Sequence, residues 1–343
     1  MSTTTQPTTF SDLYSDLMSR ARVDANQTIN ATNAKKLINT GLFDMHLGNG
    51  EVFPWAHRDA RLLTQAPYST GTVAAASGSA SVTGTGTAWN TNNDFGVKNV
   101  RAGGKILFDG DETVYEVSAV GGDGALTLTD VYIGSTLTAG TYTYFEDEYA
   151  LATDFLRPLD LTKFDSRGEI EILDRREFRR RFTRITTTGK PRVCTLFEKG
   201  FSGNTTPIRR VMFFRPPDAA QYLPYSYVTA YLAISSTGTY QQQLTSDSDE
   251  PIVPLYARHL IVLKALEHWY RDKKNDDRSA EVKAEYVDGM SRLFTDIPIG
   301  DRRPRIEPRS SGYVQRARNP YRYGSRSSGK RNTIGTAFDE LLE

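Results

Sequence analysis

The chain has 343 residues with 42 Lys/Arg against 41 Asp/Glu, four His and a single Cys. That length carries two or three domains and a sizeable core. One thiol excludes an intramolecular disulfide framework and any Cys-based zinc cluster, and no stretch approaches the roughly 20 apolar residues that cross a bilayer. The first residues, "MSTTTQPTTF", lack a basic n-region and an apolar h-region, so no secretion signal is expected. Charge is unevenly spread. Residues 302–331 hold ten Arg/Lys against one acid, Glu307, whereas 67–146 hold three basic and eight acidic residues, net −5. Such asymmetry suggests different partners for the two regions.

In chain order, Phe10, Leu13, Tyr14, Leu17, Met18 and Ala21 follow one helical face, predicting a helix over 10–22. Thr9 and Asp12 stand at capping-box spacing. A second helix is predicted over 26–46, its apolar side carrying Ile29, Asn33, Leu37, Ile38, Leu42 and Met45. Gly41 counts against it by about 1 kcal/mol relative to Ala.

Between about 60 and 146 short alternating runs appear: "KILF", "VYEVSAV", "ALTLT" and "TYTYFE". Turn residues such as Asp109-Gly110 and Gly121-Gly122 separate them, which predicts an antiparallel barrel or sandwich of six or seven strands. Within "SGSASVTGTGTAWNTN", Ser77–Ser79 reads as a turn, Ala80–Thr83 as a strand, Gly84 and Gly86 as bends, and Trp89 as the anchor of the small core. Val82, Trp89 and Tyr115 are the candidate core residues of this module.

Residues 147–165 read as mixed, with a boundary at Arg157-Pro158. Leu173–Arg184 reads as a short basic helix, a solvated face or a surface between subunits, with Phe178 and Phe182 one turn apart. Val193–Phe214 and Ser226–Ile234 read as β. "LYARHLIVLKALEHWY" within 254–274 is apolar almost all round and predicts a helix central to a core. With a partner helix over 280–294 it forms an antiparallel hairpin. After Pro298 the composition turns to Arg, Gly, Pro and Ser, which predicts an extended tail that orders on binding. The tail interleaves Arg302, Arg303, Arg305, Arg309, Arg316, Arg318, Arg322 and Arg326 with Tyr313, Tyr321 and Tyr323, then regains a small apolar cluster of Phe338, Leu341 and Leu342.

The chemistry-bearing patterns are few. Gly84-x-Gly86 lacks the third glycine and following helix of a dinucleotide fingerprint, and no Gly-Lys-Ser/Thr exists for a phosphate loop. His46, His57, His259 and His268 form no ligand pair at helical spacing. "NTNNDFG" misplaces the glycine and closing Glu of a calcium loop. Glu146, Asp147, Glu148 and Asp154 cluster, and the expectation for them is a solvated loop where the chain re-enters the body. Cys194 reads as a small buried hydrophobe. No residue is assigned a catalytic, cofactor-binding or metal-ligating role, and no cofactor is expected.

Four stretches together resemble head–tail connector (adaptor) proteins of tailed bacteriophages. They are "FSDLYSDLMSRA" with "NAKKLINTGLFDM", "DEYALATDFLRPLDL" leading into "EIEILDRREFRRRF", the segment closing on "MFFRPPDAAQYLPYSYV", and "IVPLYARHLIVLKALEHWYRDK". "GTV" followed by "GSASVTGTGTAW" resembles a β-module common in phage structural proteins. The resemblance implies an α+β chain: a helical-bundle adaptor core with a small β element (1–66 and 147–297), an inserted antiparallel all-β domain, barrel or sandwich (67–146), and an extended basic tail (298–343). It further implies a non-enzymatic virion protein, assembled in the host cytoplasm into a dodecameric ring under the portal, extending the DNA channel without sequence-specific DNA contact. The expected partners are the portal, neighbouring copies of itself, and tail nozzle, tube or fibre proteins, these last through 67–146. The tail residues named above are the candidate portal or neighbour-subunit contacts. A tail fibre or receptor-binding component, or a packaging protein that binds DNA through the basic tail, are the alternative expectations.

Overall fold

The structure, a computed structural model, describes residues 6–24, 27–47, 53–161, 169–182, 186–199 and 208–296. The predicted tail lies outside the described residues. In chain order the first elements are α1 (Phe10–Arg20), α2 (Thr28–Leu47), β1 (His57–Leu63), β2 (Thr72–Ala75), β3 (Ser81–Thr85), β4 (Lys105–Phe108) and β5 (Val114–Gly122). Next come β6 (Ala125–Leu128), β7 (Leu137–Gly140), β8 (Tyr142–Phe145), β9 (Glu148–Ala150), β10 (Phe155–Leu161) and β11 (Glu171–Leu173). The rest are α3 (Arg175–Arg181), β12 (Val193–Lys199), β13 (Ile208–Phe214), β14 (Tyr222–Thr229), β15 (Ala233–Ile234), β16 (Tyr240–Gln241), β17 (Glu250–Pro251), α4 (Arg258–Asp272) and α5 (Asp276–Asp296).

Helix α1 starts where the capping box places it. Thr9 Oγ1 accepts from the Asp12 amide at 3.3 Å, and Asp12 Oδ2 accepts from the Thr9 amide at 3.1 Å. Phe10, Leu13, Leu17 and Met18 are buried. Helix α4 is buried on almost every side and packs against α1, α2 and α5. On α2 the buried side begins at Ala34 and runs through Ile38, Leu42 and Met45, while Ile29, expected on it, is 63% exposed.

The expected helical-bundle core is corrected by the rest of the body. Among the described residues strand, at 33%, outweighs helix, at 30%, and ten of the seventeen strands lie outside 67–146. A three-stranded sheet ordered β1-β14-β10 and a four-stranded sheet ordered β11-β12-β13-β9 share one core of Leu62, Tyr149, Phe155, Cys194, Val211, Phe213, Leu223 and Tyr225. A small sheet, β16-β15-β17, packs on the helices through Ala233. The body is therefore mixed α+β. Strand β10 was hard to see because it contains Pro158. That proline reads as a breaker, yet β10 is an edge strand, where a missing amide proton is tolerated.

The acidic stretch forms a seven-stranded antiparallel sheet ordered β7-β2-β3-β6-β5-β4-β8. Its first and last strands, β7 and β8, are separated in the chain by Thr141 alone. The sheet therefore curls round so that its order begins and ends on one stretch of chain. The strand pairing continues outward: Tyr68 and Tyr144 exchange backbone hydrogen bonds of 2.9 and 2.8 Å. Alternation along β4, β5, β6 and β8 aims Ile106, Phe108, Tyr115, Val117, Leu126, Leu128, Tyr142 and Tyr144 into one interior. Trp89 fills it, fully buried, and its indole donates to the Tyr142 hydroxyl at 2.8 Å. Gly86 has φ +68°, so it is a true bend. Gly84 instead lies inside β3, where a Cβ would come 2.8 Å from the Trp89 ring.

Candidate functional site

The two connections between module and body run through residues 64–67 and 146–148, and both enter a buried ionic cluster. The module contributes Arg101, just before β4, Lys105 at its start, and Glu116 on β5. The returning chain contributes Glu146, Asp147 and Glu148. The body adds Lys199 at the end of β12 and Arg210 on β13. Four cations thus meet four carboxylates. Glu146 is 5% and Asp147 0% exposed, so the expected solvated loop is a charged core instead.

The local sequence explains this burial. Tyr144, Phe145 and Tyr149 flank the carboxylates and drive this run of chain inward, and the acids follow the backbone. Burying a carboxylate is costly unless it is paired and hydrogen-bonded, and each of these finds cations. Arg101 grips Glu146 through both arms, with Nε to Oε1 at 2.8 Å and a second bond from its terminal nitrogen to Oε2. Such fork-to-fork geometry fixes orientation as well as distance. The Tyr144 hydroxyl donates to Glu146 Oε1 at 2.6 Å and accepts from the Arg101 amide at 3.0 Å. Lys105 pairs with Asp147 Oδ2. Lys199 bridges Glu116 at 3.0 Å and Glu148 at 3.2 Å, tying module to body directly. Arg210 lies 3.9 Å from Glu148 and donates to its backbone carbonyl at 3.2 Å.

Two further bonds close the joint. The Gln65 amide donates to the Tyr149 hydroxyl at 3.1 Å, and that hydroxyl donates to the Glu146 carbonyl at 3.1 Å. Gln65 also reaches the module loop, donating to the Asn99 carbonyl and accepting from Asn93. On the outer side, Phe95 packs edge-on against Tyr222, over which the Arg61 guanidinium sits at 4.9 Å.

Titration follows from burial. Burial pushes the Asp147 carboxyl above its ordinary range, and Lys105 only partly opposes it. Burial and the Glu146 charge hold the Tyr144 phenol well above its ordinary value. Burial alone would lower Arg101, but the hydrogen bond and charge of Glu146 outweigh it and the guanidinium is held more tightly protonated. The cluster is held by geometry, each carboxylate lying within ion-pair distance of a cation. Its chemistry is that of a clamp, since each acid is already committed to a cation. No group of three or more His, Cys, Asp or Glu among the described residues is placed to hold a metal.

Of the residues singled out in the sequence, Val82, Trp89 and Tyr115 are 2%, 0% and 4% exposed and belong to one module core. The tail residues, Arg302 through Leu342, lie outside the described residues. His46 accepts from the Trp55 indole at 3.0 Å, and His268 pairs with Asp44 at 2.7 Å, so both tie elements together within the helical layer. Asp154, grouped with the other acids in the sequence, sits apart and accepts from Tyr227 and Thr229, each at 2.7 Å. Sequence reasoning missed Arg101, Lys105, Lys199 and Arg210. The available signal was an acidic triplet embedded between bulky aromatics. No helix among the described residues is long and apolar enough to cross a membrane. Compared with known proteins, the chain matches no family model, and no curated protein is a significant match to it.

Proposed function

We propose that this chain is a structural protein of a tailed-phage virion, a head-to-tail adaptor. Copies assemble into a ring under the portal, dodecameric by the resemblance, that continues the DNA channel and offers a platform to tail or fibre proteins. The observation that supports this reading best is the ionic joint. A module attached by two short connections swings unless it is clamped. Here the Lys105–Asp147 and Lys199–Glu116 pairs cross from module to body and fix its direction, at a desolvation cost that simple tethering does not require. A platform needs that fixed direction. The module's net charge of −5 disfavours a position against DNA phosphates, so the module faces outward toward tail components. The basic, Tyr-bearing segment 302–326 supplies the contact to the portal.

The test is negative-stain microscopy of the full chain mixed with the portal protein encoded in the same genome. Stacked rings with outward knobs are expected. Particles that never stack, together with duplex DNA binding that weakens steeply with salt, would overturn the reading in favour of a packaging protein.

A further inference from the structure

Helix α2 presents apolar side chains outward: Ile29 is 63%, Phe43 55% and Leu47 37% exposed. Beside them runs a groove of ≈ 500 Å³ between α2 and the segments flanking the small sheet β16-β15-β17. Leu42 and Leu232 form its apolar part, Phe43 its exposed wall, and Gln242 and Gln243 the far side; Lys36 is its one charged lining residue. The walls are fixed. Asn39 on α2 donates to the Leu244 carbonyl at 2.9 Å and accepts from the Leu244 amide at 3.0 Å.

The chain itself carries a segment of matching chemistry. Residues 336–343 read Thr-Ala-Phe-Asp-Glu-Leu-Leu-Glu. Phe338, Leu341 and Leu342 stand at i, i+3 and i+4, the spacing of anchors on one helical face laid into a groove. Asp339, Glu340 and Glu343 make the segment acidic, complementary to a groove whose charge is a lysine. Residues 297–335 separate it from the end of α5, a length of chain whose fully extended span is at most on the order of 130 Å. That length does not confine the segment to its own copy.

We infer that residues 336–343 of one copy dock in the α2 groove of a neighbouring copy, with Phe338, Leu341 and Leu342 as anchors against Leu42, Phe43 and Leu232. The inference rests on the ring-forming adaptor reading and divides the tail in two. The basic segment 302–326 serves the portal, and the acidic apolar tip serves the neighbouring subunit. Each subunit then both gives and receives a strap, which is the head-to-tail contact that closes rings.

Two full-length variants test it. Phe338→Ala/Leu341→Ala/Leu342→Ala removes the anchors. Phe43→Glu places a carboxylate on the groove wall at a half-exposed position, outside the packed core. Mass photometry should show each variant weakening self-association at least about 30-fold, as loss of a central apolar anchor does. An equal mixture of the two should regain dimers, because the intact tip of one meets the intact groove of the other. A mixture that stays monomeric, wild-type chain that does not self-associate, or variants that associate as wild type does, would each overturn the inference. Portal-stacked rings formed undiminished by both variants would sink it while leaving the adaptor reading in place.

Discussion

Gly41 of α2 lies against the backbone of α4: a Cβ built there would sit 3.0 Å from the Ala265 amide nitrogen and 3.0 Å from the Ile261 carbonyl oxygen. The glycine that weakens α2 as an isolated helix is the one that lets the helices approach. Gly41→Ala gains about 1 kcal/mol of intrinsic helix propensity. It also forces two backbones apart in a close-packed core, which costs about 1–3 kcal/mol. A net loss of stability is expected, measured as a lower urea midpoint. A higher midpoint would show that α4 can shift away at no cost.

His46 gives the helical layer an acid limit. It is 6% exposed, its Nε2 accepts from Trp55, and burial pulls its pKa down from 6.5 to about 4. Between those values the unfolded chain holds a proton that the folded chain does not. The sign follows: stability is full above pH 6.5, falls as the pH drops toward 4, and changes no further from this group below that. The loss reaches up to about 3 kcal/mol. Urea midpoints across that range should fall more steeply for wild type than for His46→Gln. Equal slopes would refute the assignment.

Arg101 and Glu146 should behave as a buried pair. Arg101→Ala leaves an almost fully buried carboxylate without its cation and is expected to cost about 3 kcal/mol. The double variant Arg101→Ala/Glu146→Leu removes both charges and should recover most of that loss. Unfolding of the two variants and of Glu146→Leu alone completes the cycle. A double variant no better than Arg101→Ala would show that the pair does not act as one unit.

Cys194 lies on β12 inside the two-sheet core, fully buried, with burial pushing its thiol up to about 12. Native protein at pH 8 should therefore leave a thiol reagent such as DTNB unreacted. One equivalent should react once urea unfolds that core. Rapid reaction of native protein would mean that the core opens readily.

Local features of the fold were the legible ones. The capping box at Thr9 and Asp12, the alternation of "KILF" and "TYTYFE", and the nearly all-apolar α4 are each decided within a few residues of chain. The corrected features depend on distant partners. β10 is a strand because β14 pairs with it across some 70 positions, despite Pro158. Glu148 is tolerable inside because Lys199, 51 residues on, faces it. Acids in sequence look solvated unless their cations are known, and here the cations come from three separate segments. The exposed run of α2 was misread for the same reason: periodicity marks an apolar face, and only packing shows how much of that face is covered.

The bridge between Tyr68 and Tyr144 brings the incoming and outgoing chains of the β-module side by side. A host sees such a module as a loop whose two ends already touch. Gaining, losing or swapping it asks little of the body's own strands, because the gap to be spanned is that of neighbouring strands. What must change with it is the small set of charges at the joint. The fitting of the module to the body is Lys105 and Glu116 on one side against Asp147, Glu148 and Lys199 on the other.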